Sequence, residues 1–282
     1  MEGNSVEGRQ LAAHVRAHLS DLRGAEARVA QVVLDKGADL VHLSVSDVAA
    51  LAHTAPSSVV RACQRLGFRG YQELKIAAAR QAPSPSPSRD QDPAARALTD
   101  TVQAAREALD GLAATLPVEQ LRNAAQTLHA ASHILVVGAG LSGAVAADAA
   151  YRLRALGSVV DAPTDPITAQ LAAAQLPPSA VCLAVSHTGA TRSTVDIARR
   201  ARQAGADVIT LTSYARSPLS DTSTCTLVAG GQDLVFGLET VASRLAHLAV
   251  IDALALTLLA IRGATAEQAL RLSADVTADH AY

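Results

Sequence analysis

Three short apolar runs in the second half of the chain end in small residues, and each is followed by a stretch with helical spacing. They are HILVVG (residues 133–138), AVCLAVS (residues 180–186) and DVITLT (residues 207–212), with weaker candidates at residues 158–162 and 225–229. Continuous apolar runs of this length are typical of strands buried on both faces of a parallel sheet. The intervening stretches predict helices over residues 143–156, 167–175 and 194–203. Strand and helix in alternation predict a doubly wound α/β sandwich, preceded by helices over residues 98–116 and 118–130.

The segment QAPSPSPSRDQDP, residues 81–93, alternates Pro with Ser and has no apolar residue beyond Ala82 that could join a core. This composition is typical of an extended linker. Before it, the apolar residues recur at helical spacing, as in Val29, Val32, Val33, Val48, Leu51, Val59, Val60, Cys63 and Leu66. We therefore predict an all-α domain over residues 1–80, a linker over residues 81–97 and an α/β domain over residues 98–282.

Composition excludes several classes of protein. A chain of 282 residues that is 49% hydrophobic and 18% charged has enough apolar material to fold. The net charge of −2 provides no general attraction to acidic membranes or phosphate backbones, and 2% aromatic residues argue against stacking on single-stranded nucleic acid. Three widely spaced cysteines form neither a CxxC pair nor a disulfide framework. We predict a cytoplasmic protein without a metal site or a cofactor.

The stretch LAHLAVIDALALTLLAI, residues 245–261, is the one that resembles a membrane span. It contains His247 and Asp252, which are costly inside a bilayer. We predict a buried helix that packs between subunits, and no membrane partner.

Residues 46–68, SDVAALAHTAPSSVVRACQRLGF, have the layout of a helix-turn-helix. We expect a short helix over residues 46–52, a tight turn, and a second helix over residues 56–66 that begins at Pro56, because proline suits the first helical turn. The residues predicted to pack the two helices together are Val48, Leu51, Val59 and Cys63. This packing leaves Ser57, Ser58, Arg61 and Arg65 pointing outward, where a recognition helix reaches DNA.

Basic charge is concentrated in the same region. Between residues 55 and 82 the charged side chains are Arg61, Arg65, Arg69, Lys75 and Arg80 against Glu73. The pattern favours a DNA-binding surface, although a solvated face of a generic helix bundle has the same layout.

The segment VVRACQRLGFRGYQELKIAAAR, residues 59–80, resembles the end of the DNA-binding domain of the RpiR family of bacterial sugar-metabolism regulators, with the pattern V-x-R-x-x-x-x-L-G-[FY]-x-G-[FY]-x-[ED]-[LF]-K. The resemblance implies that the domain binds double-stranded operator DNA, and we expect contacts from Ser57, Ser58, Arg61, Arg65 and Arg69. One departure is that His53, Thr54 and Ala55 replace a Gly-Val-Ser-like turn. His53 is then expected in a left-handed backbone, and Ala55 cannot cap the second helix.

In the α/β half, GAGLSG (residues 138–143) follows the first strand and opens a helix. A glycine-rich turn into a helix presents backbone N–H groups to an anion. The same segment satisfies the dinucleotide fingerprint G-x-G-x-x-G, with Asp161 as the acidic residue after the next strand. This motif alone leaves both interpretations open.

A second loop, SHTGAT (residues 186–191), follows another strand and gathers several hydroxyl groups at the start of a helix. A phosphomonoester needs such a set of donors, whereas a dinucleotide does not. The loop is similar to the phosphate-binding loop of sugar isomerase (SIS) domains, and the similarity covers about residues 131–263. It implies phosphate contacts from Ser142, Ser186, Thr188 and Thr191, with Gly189 in the loop.

Two residues are further candidates for contact with the sugar. His187 lies in the second loop, where it is a candidate acid or base or a space-filling side chain. Glu239 precedes the long apolar helix and either contacts the sugar, across a subunit boundary, or caps that helix. Asp148 and Asp252 lie within helical apolar runs, and we expect them to be partnered core carboxylates rather than catalysts.

Together these features predict a transcriptional regulator, not an enzyme, in which a phosphorylated sugar changes DNA affinity. We expect a homodimer or higher homo-oligomer on an inverted-repeat operator. The competing interpretation is a sugar-phosphate isomerase or lyase that uses the same pocket, and a weaker one is a scaffold that has lost its ligand. The sequence does not identify the sugar, the operator, or whether the ligand releases or recruits the protein.

Overall fold

The computed structural model describes residues 11, 15, 22–79, 92–229 and 241–280, without the side chains of residues 107, 113, 114, 241 and 242. The chain divides into two compact units, and one boundary lies between Ala104 and Ala105. Most of the predicted linker, residues 81–91, lies outside the described residues, as does Glu239.

The described part of the N-terminal half is helical, as predicted. The helices are α1 (Ala25–Lys36), α2 (Val45–Leu51), α3 (Pro56–Arg65) and α4 (Tyr71–Ala79), with a 3₁₀ helix over Gly37–His42. Val48, Val59 and Cys63 are fully buried in their common core, as expected for residues that pack α2 against α3. The prediction for Leu51 is wrong, because this residue is 45% exposed at the end of α2.

Three helices connect the described N-terminal residues to the sheet: α5 (Pro93–Asp110), α6 (Leu112–Thr115) and α7 (Val118–Ala130). Helix α5 begins at residue 93 rather than at the predicted residue 98, so the last residues assigned to the linker are helical. Proline at the first helical position is compatible with this start, because its missing N–H has no partner within the helix.

The C-terminal half is the predicted doubly wound sheet. Its strands are β1 (His133–Gly138), β2 (Val160–Asp161), β3 (Ala180–Val185), β4 (Asp207–Thr212) and β5 (Cys225–Val228), all parallel and in the order β2-β1-β3-β4-β5. The crossover helices are α8 (Leu141–Ala155), α9 (Pro166–Ala174) and α10 (Arg192–Gln203). The chain passes from β1 to β2 on one side and then returns to β3 on the other side of β1. This reversal places a crevice outside the carboxyl ends of β1 and β3.

Two helices complete the C-terminal half: α11 (Val241–Arg262) and α12 (Ala264–Ala278), the second of which was not predicted. Helix α11 buries Val250, Leu254 and Leu258, while Leu256 is 66% exposed. Among the described helices, α11 is the one long and apolar enough to cross a membrane by length and composition, and a third of its apolar window is buried.

The carboxylates of Asp148 and Asp252 are partnered, as expected. Arg152 donates to Asp148 at 2.8 Å and lies 2.7 Å from Asp252, which joins α8 to α11. The hydrogen bond to Asp148 raises the pKa of Arg152. The expected core position is wrong, because both carboxylates are half-exposed and join the helices at the surface.

Candidate DNA-binding helix and phosphate-binding loops

A capping box fixes the start of α2. The Asp47 N–H donates to the Ser44 hydroxyl at 3.1 Å, and the Asp47 carboxylate accepts the Ser44 N–H at 2.9 Å. This reciprocal arrangement satisfies two backbone donors that the helix leaves free. The helix therefore begins at Val45 and ends at Leu51, where the turn toward α3 starts.

The turn between α2 and α3 contains the left-handed residue expected from the sequence. His53 has φ +48°, and no other non-glycine residue in the described ranges has a positive φ. Arg28 on α1 stabilises this turn, because Nε donates to the Ala52 carbonyl at 2.8 Å and Nη2 to the His53 carbonyl at 3.1 Å. Sequence reasoning missed this role of Arg28, since only the tertiary fold brings α1 to the turn.

Helix α3 starts without a side-chain cap, as expected. Ala55 precedes it in an extended conformation and makes no capping hydrogen bond, and Pro56 is the first helical residue. The end of α3 explains the Leu-Gly-Phe part of the RpiR-like pattern, residues 66–68. Gly67 has φ +86°, and the Phe68 N–H donates to the Cys63 carbonyl at 2.9 Å, which closes the helix in the manner of a glycine C-cap.

The outward face of α3 differs from the prediction at one residue. Ser57 and Arg61 are exposed, whereas Ser58 is 6% exposed, so its predicted outward position is wrong. The Ser58 hydroxyl instead accepts a hydrogen bond from Arg61 Nη2 at 3.0 Å. Ser58 therefore orients Arg61 and does not itself present a hydroxyl group to the solvent.

Two of the other basic candidates are paired with carboxylates. Arg65 Nε lies 3.2 Å from Glu26 on α1, and Arg69 Nε lies 3.4 Å from Glu73. The Glu73 carboxylate also accepts the Arg69 backbone N–H at 2.5 Å. The latter bond lowers the pKa of Glu73. Lys75, which was counted toward the basic surface, is buried. Within the described residues, ion pairs hold Arg65 and Arg69 but not Arg61.

In the C-terminal half, the first glycine-rich loop is held by close packing. A β-carbon on Gly138 would lie 2.6 Å from the Ser142 carbonyl oxygen, so only glycine fits there. Gly140 has φ +58° and precedes α8 without a side-chain cap. Among the first amides of α8, the Gly143 N–H donates to the Gly140 carbonyl at 3.0 Å, so the two amides before it are the ones left for other partners.

Hydrogen bonds within the second loop, residues 186–191, hold its hydroxyl groups in place. The buried Ser186 hydroxyl donates to Thr191 Oγ1 at 3.1 Å, and Thr188 Oγ1 accepts the Ala190 N–H at 3.2 Å. Thr191 precedes α10, which also lacks a side-chain cap. Hydroxyl groups and helix-start amides thus occupy one loop, the combination that holds a phosphate group.

The two loops meet in one site. The His187 N–H donates to the Ser142 hydroxyl at 3.2 Å, which links the end of β3 to the start of α8. The fold therefore brings together the predicted residues Ser142, Ser186, His187, Thr188, Gly189 and Thr191. Their contact with a ligand remains a prediction, as does the role of Glu239.

Residues from β4 and the segment after it support the second loop. Thr212 Oγ1 donates to the His187 carbonyl at 3.1 Å, and the Leu219 N–H donates to the Gly189 carbonyl at 2.9 Å. Ser217 packs directly against Gly189. Sequence reasoning missed this support, because only the tertiary structure brings residues 217–220 against the loop.

The His187 ring is anchored by a hydrogen-bonded chain. Its Nδ1 lies 2.8 Å from Ser213 Oγ, which in turn donates to the Ala229 carbonyl at 2.9 Å. His247 on α11 lies 2.8 Å from the same carbonyl. Burial and, as a smaller effect, electrostatic repulsion from His187 lower the pKa of His247 to about 4, although the hydrogen bond to the Ala229 carbonyl acts in the opposite direction. His247 is therefore neutral at pH 7 and donates from Nε2.

The remaining acidic and thiol candidates have structural environments. Asp161, the acidic residue of the dinucleotide interpretation, lies 3.1 Å from His133 Nε2. Burial raises the pKa of the Cys63 and Cys182 thiols to about 12, which keeps them protonated. Across the described ranges, no group of three His, Cys, Asp or Glu residues is placed to hold a metal ion.

A cavity of about 450 Å³ lies at the carboxyl end of β1, beside the first loop. This volume is within the range of about 300–1,000 Å³ that small-molecule sites occupy. Gly138, Gly140 and Gly143 of the first loop line it together with residues of α8, α9, α10 and the segment after β2. The first predicted phosphate loop therefore borders a space large enough for a small ligand, whereas residues 186–191 of the second loop are not among the residues that line it.

The two halves of the chain match two known domain families. The helix-turn-helix domain of the rpiR family matches residues 9–84, and the SIS domain matches residues 127–257. The combination defines a class of transcriptional regulators that carry a SIS domain. This chain belongs to the RpiR family of that class.

Relatives agree with this assignment. An uncharacterized HTH-type transcriptional regulator of Caldanaerobacter subterraneus is 30% identical over 85% of this chain and 87% of the relative. HexR of Escherichia coli, an HTH-type transcriptional regulator, is 28% identical over 89% of this chain and 88% of its own length. The solved structure of Vibrio vulnificus NanR complexed with ManNAc-6P has a TM-score of 0.82, is 25% identical, and covers 96% of this chain and 99% of NanR.

Proposed function

We propose that this regulator binds operator DNA through α3 and that a phosphorylated sugar, held by the loops after β1 and β3, changes its DNA affinity. The observation that carries the proposal is the hydrogen bond from the His187 N–H to Ser142, because it joins two loops from distant parts of the chain into one anion-binding site. In this proposal, hydroxyl groups from both loops and the two helix starts that lack side-chain caps together bind the phosphate group.

The relatives support each half of this proposal. HexR is named as an HTH-type transcriptional regulator, which supports operator binding by this chain. The solved structure of NanR is complexed with ManNAc-6P, a phosphorylated sugar, which supports the class of ligand. We further propose that the protein acts in the cytoplasm as a homodimer or larger homo-oligomer.

A ligand alters DNA affinity only if it binds one arrangement of the protein more tightly than another. If the sugar phosphate changes the affinity of the protein for operator DNA by some factor, bound operator DNA must change its affinity for the sugar phosphate by the same factor. This reciprocity applies to repression and to activation alike.

The test is a gel-shift assay with the region upstream of the protein's own gene, repeated with hexose, pentose and amino-sugar phosphates. In the double variant Ser186→Ala, Thr188→Val, we expect DNA binding to persist and the response to the sugar phosphate to disappear. The control is Ser273→Ala, Thr277→Val on α12, where the Thr277 hydroxyl donates only to its own helix. This control keeps the response.

Turnover of a responding compound would contradict the proposal and favour the isomerase or lyase interpretation. Loss of DNA binding together with the ligand response in the double variant would assign the loop a purely structural role. A panel in which no phosphorylated sugar changes DNA binding would also contradict the proposal.

A further inference from the structure

The outward face of α3 carries an exposed apolar side chain, Val60. This residue is 37% exposed, whereas its neighbour Val59 is fully buried in the core of the N-terminal half. Single apolar residues are common on protein surfaces, so exposure alone assigns no role to Val60. Its position on the helix is the more informative observation.

Val60 lies on the side of α3 that faces away from the core. Residues three and four apart share one side of a helix. Ser57 precedes Val60 by three residues and Gln64 follows it by four, and both are exposed, as is the adjacent Arg61. The buried residues of α3 occupy the other side: Ser58, Val59, Ala62 and Cys63. Val60 is therefore an apolar side chain among polar and basic ones on the surface that α3 presents to solvent.

Val60 also lies in the part of the helix that reaches bases in a helix-turn-helix protein. Helix α3 begins at Pro56, so Val60 is its fifth residue, and recognition helices contact base edges mainly through their N-terminal residues. Arg61 brings positive charge to the same part of α3, which favours the approach of DNA phosphates. The surface around Val60 therefore has the charge and the position for DNA contact.

An apolar side chain at this position restricts which base it can recognise. Val60 can neither donate nor accept a hydrogen bond through its side chain, so it cannot pair with the polar groups of a base edge. Among the four standard bases, only thymine displays an apolar group in the major groove, its 5-methyl group. Contact with that group removes two apolar surfaces from water, which stabilises the complex.

We infer that each operator half-site contains a thymine whose 5-methyl group packs against Val60. The inference rests on the proposed function, in which α3 binds operator DNA, and it adds a specificity-determining residue to that function. Val60 was not among the DNA contacts expected from the sequence, because its apolar side chain was counted with the residues of the helical core.

The test replaces single thymines of the operator by deoxyuridine, which lacks only the 5-methyl group and keeps the same base pairing. Footprinting on the region upstream of the protein's own gene first defines the protected duplex. Fluorescence anisotropy with the full-length protein then measures the affinity for this duplex and for each substituted duplex. At one thymine of each half-site we expect the substitution to weaken binding about fourfold, the factor that burial of one methyl group supplies.

Two variants of exposed α3 residues identify the side chain that contacts the methyl group. Val60→Ala removes both γ-carbons, so duplexes with thymine and with deoxyuridine at this position should bind with nearly equal affinity. Gln64→Ala is the matched control, because it shortens a side chain on the same side of the same helix and leaves Val60 in place. It should retain the preference for thymine, whatever its effect on overall affinity. Alanine is a good helix former, and thermal unfolding checks that both variants fold.

Equal affinities for thymine and deoxyuridine at every position would overturn the inference and leave the proposed function intact. A preference that persists in Val60→Ala would also overturn it, because another group would then contact the methyl group. Loss of the preference in both variants would do the same, since the effect would not be specific to Val60. If the protein binds no part of the upstream region, the proposed function itself fails, and the inference fails with it. The comparison of duplexes with the unmodified protein needs no variant, so a folding defect cannot obscure it.

Discussion

A β-carbon at Gly189 would lie 2.1 Å from the hydroxyl oxygen of Ser217 and 2.4 Å from its β-carbon. Gly189 also has φ +60°, and Ser217 is fully buried. The second phosphate loop is therefore shaped by contact with a segment nearly thirty residues further along the chain. Two separate effects, backbone conformation and contact, exclude any side chain at residue 189.

These effects can be separated by mutation. Gly189→Ala should destabilise the protein by more than the roughly 1–2 kcal/mol expected from a left-handed backbone alone. Gly263→Ala is the control, because Gly263 has φ +54° with nothing within 4 Å of the added β-carbon. In a Ser217→Gly background, Gly189→Ala should cost much less, because the two closest contacts are gone and only the backbone strain and a contact with Thr212 Oγ1 at 3.1 Å remain. Urea unfolding measures each value, and equal losses for Gly189 and Gly263 would contradict the contact.

The turn before α3 is strained at His53, so His53→Gly should stabilise the N-terminal half. Glycine adopts φ +48° without the steric cost of a β-carbon, and we expect a gain of about 1 kcal/mol. Thermal unfolding measures the gain. As a control, Gln64→Gly on the exposed face of α3 should have the opposite sign, because glycine lowers helix stability by about 1 kcal/mol. A loss of stability in His53→Gly would contradict the assignment of strain.

Ala55→Ser should add the missing cap of α3. Serine at the residue before a helix accepts a backbone N–H and contributes about 1 kcal/mol. Ala55 has φ −84° and ψ 152°, the extended conformation that a capping residue needs. Thermal unfolding of this single variant provides the measurement. No change, or a lower midpoint, would indicate that another group satisfies these amides.

His247 makes stability depend on pH. Its pKa is about 4 in the folded protein, below the ordinary value of about 6.5 that holds after unfolding. Between these values the unfolded chain binds a proton that the folded protein does not, so stability falls as pH decreases from about 6.5 toward about 4. Between pH 7.5 and pH 5 the loss from this group is about 2 kcal/mol.

His247→Gln tests this dependence, since glutamine can donate to the Ala229 carbonyl without titrating. Urea unfolding at both pH values should show a smaller loss in the variant than in the unmodified protein. The difference between the two proteins isolates His247 from the other titrating groups. Equal slopes would contradict the low pKa.

Arg61 is the exposed arginine of α3 that the described carboxylates leave unpaired, and Arg61→Ala should weaken operator binding while leaving sugar-phosphate affinity unchanged. If Arg61 contacts a phosphate, its removal should reduce the magnitude of the slope of log DNA affinity against log salt concentration by about 1. Fluorescence anisotropy at several salt concentrations measures this slope. Arg199→Ala on α10 is the control, because Arg199 is exposed and lies 3.6 Å from Asp196 in the other half of the chain. The same loss in both variants would contradict a specific role.

The local sequence pattern was sufficient to predict most of the helices and strands. The strands β1 and β4 and the helix α7 have the bounds expected from sequence, because apolar runs and helical periodicity reflect burial along one element. His53 and Ala55 were also anticipated, since the backbone conformation of a turn and the absence of a cap depend on the residue itself. Helix α12 was missed because its described residues are mostly exposed, so the apolar signal is weak.

Contacts between distant residues were decided by the tertiary structure. The burial of Ser58 and Lys75, the hydrogen bonds from Arg28 to the turn, and the fit of Ser217 against Gly189 all depend on which elements pack together. The sequence pattern specifies which face of an element is apolar but not which neighbour covers it. Residue types and their order therefore predicted two domains and two phosphate loops, whereas three-dimensional packing joined those loops into one site.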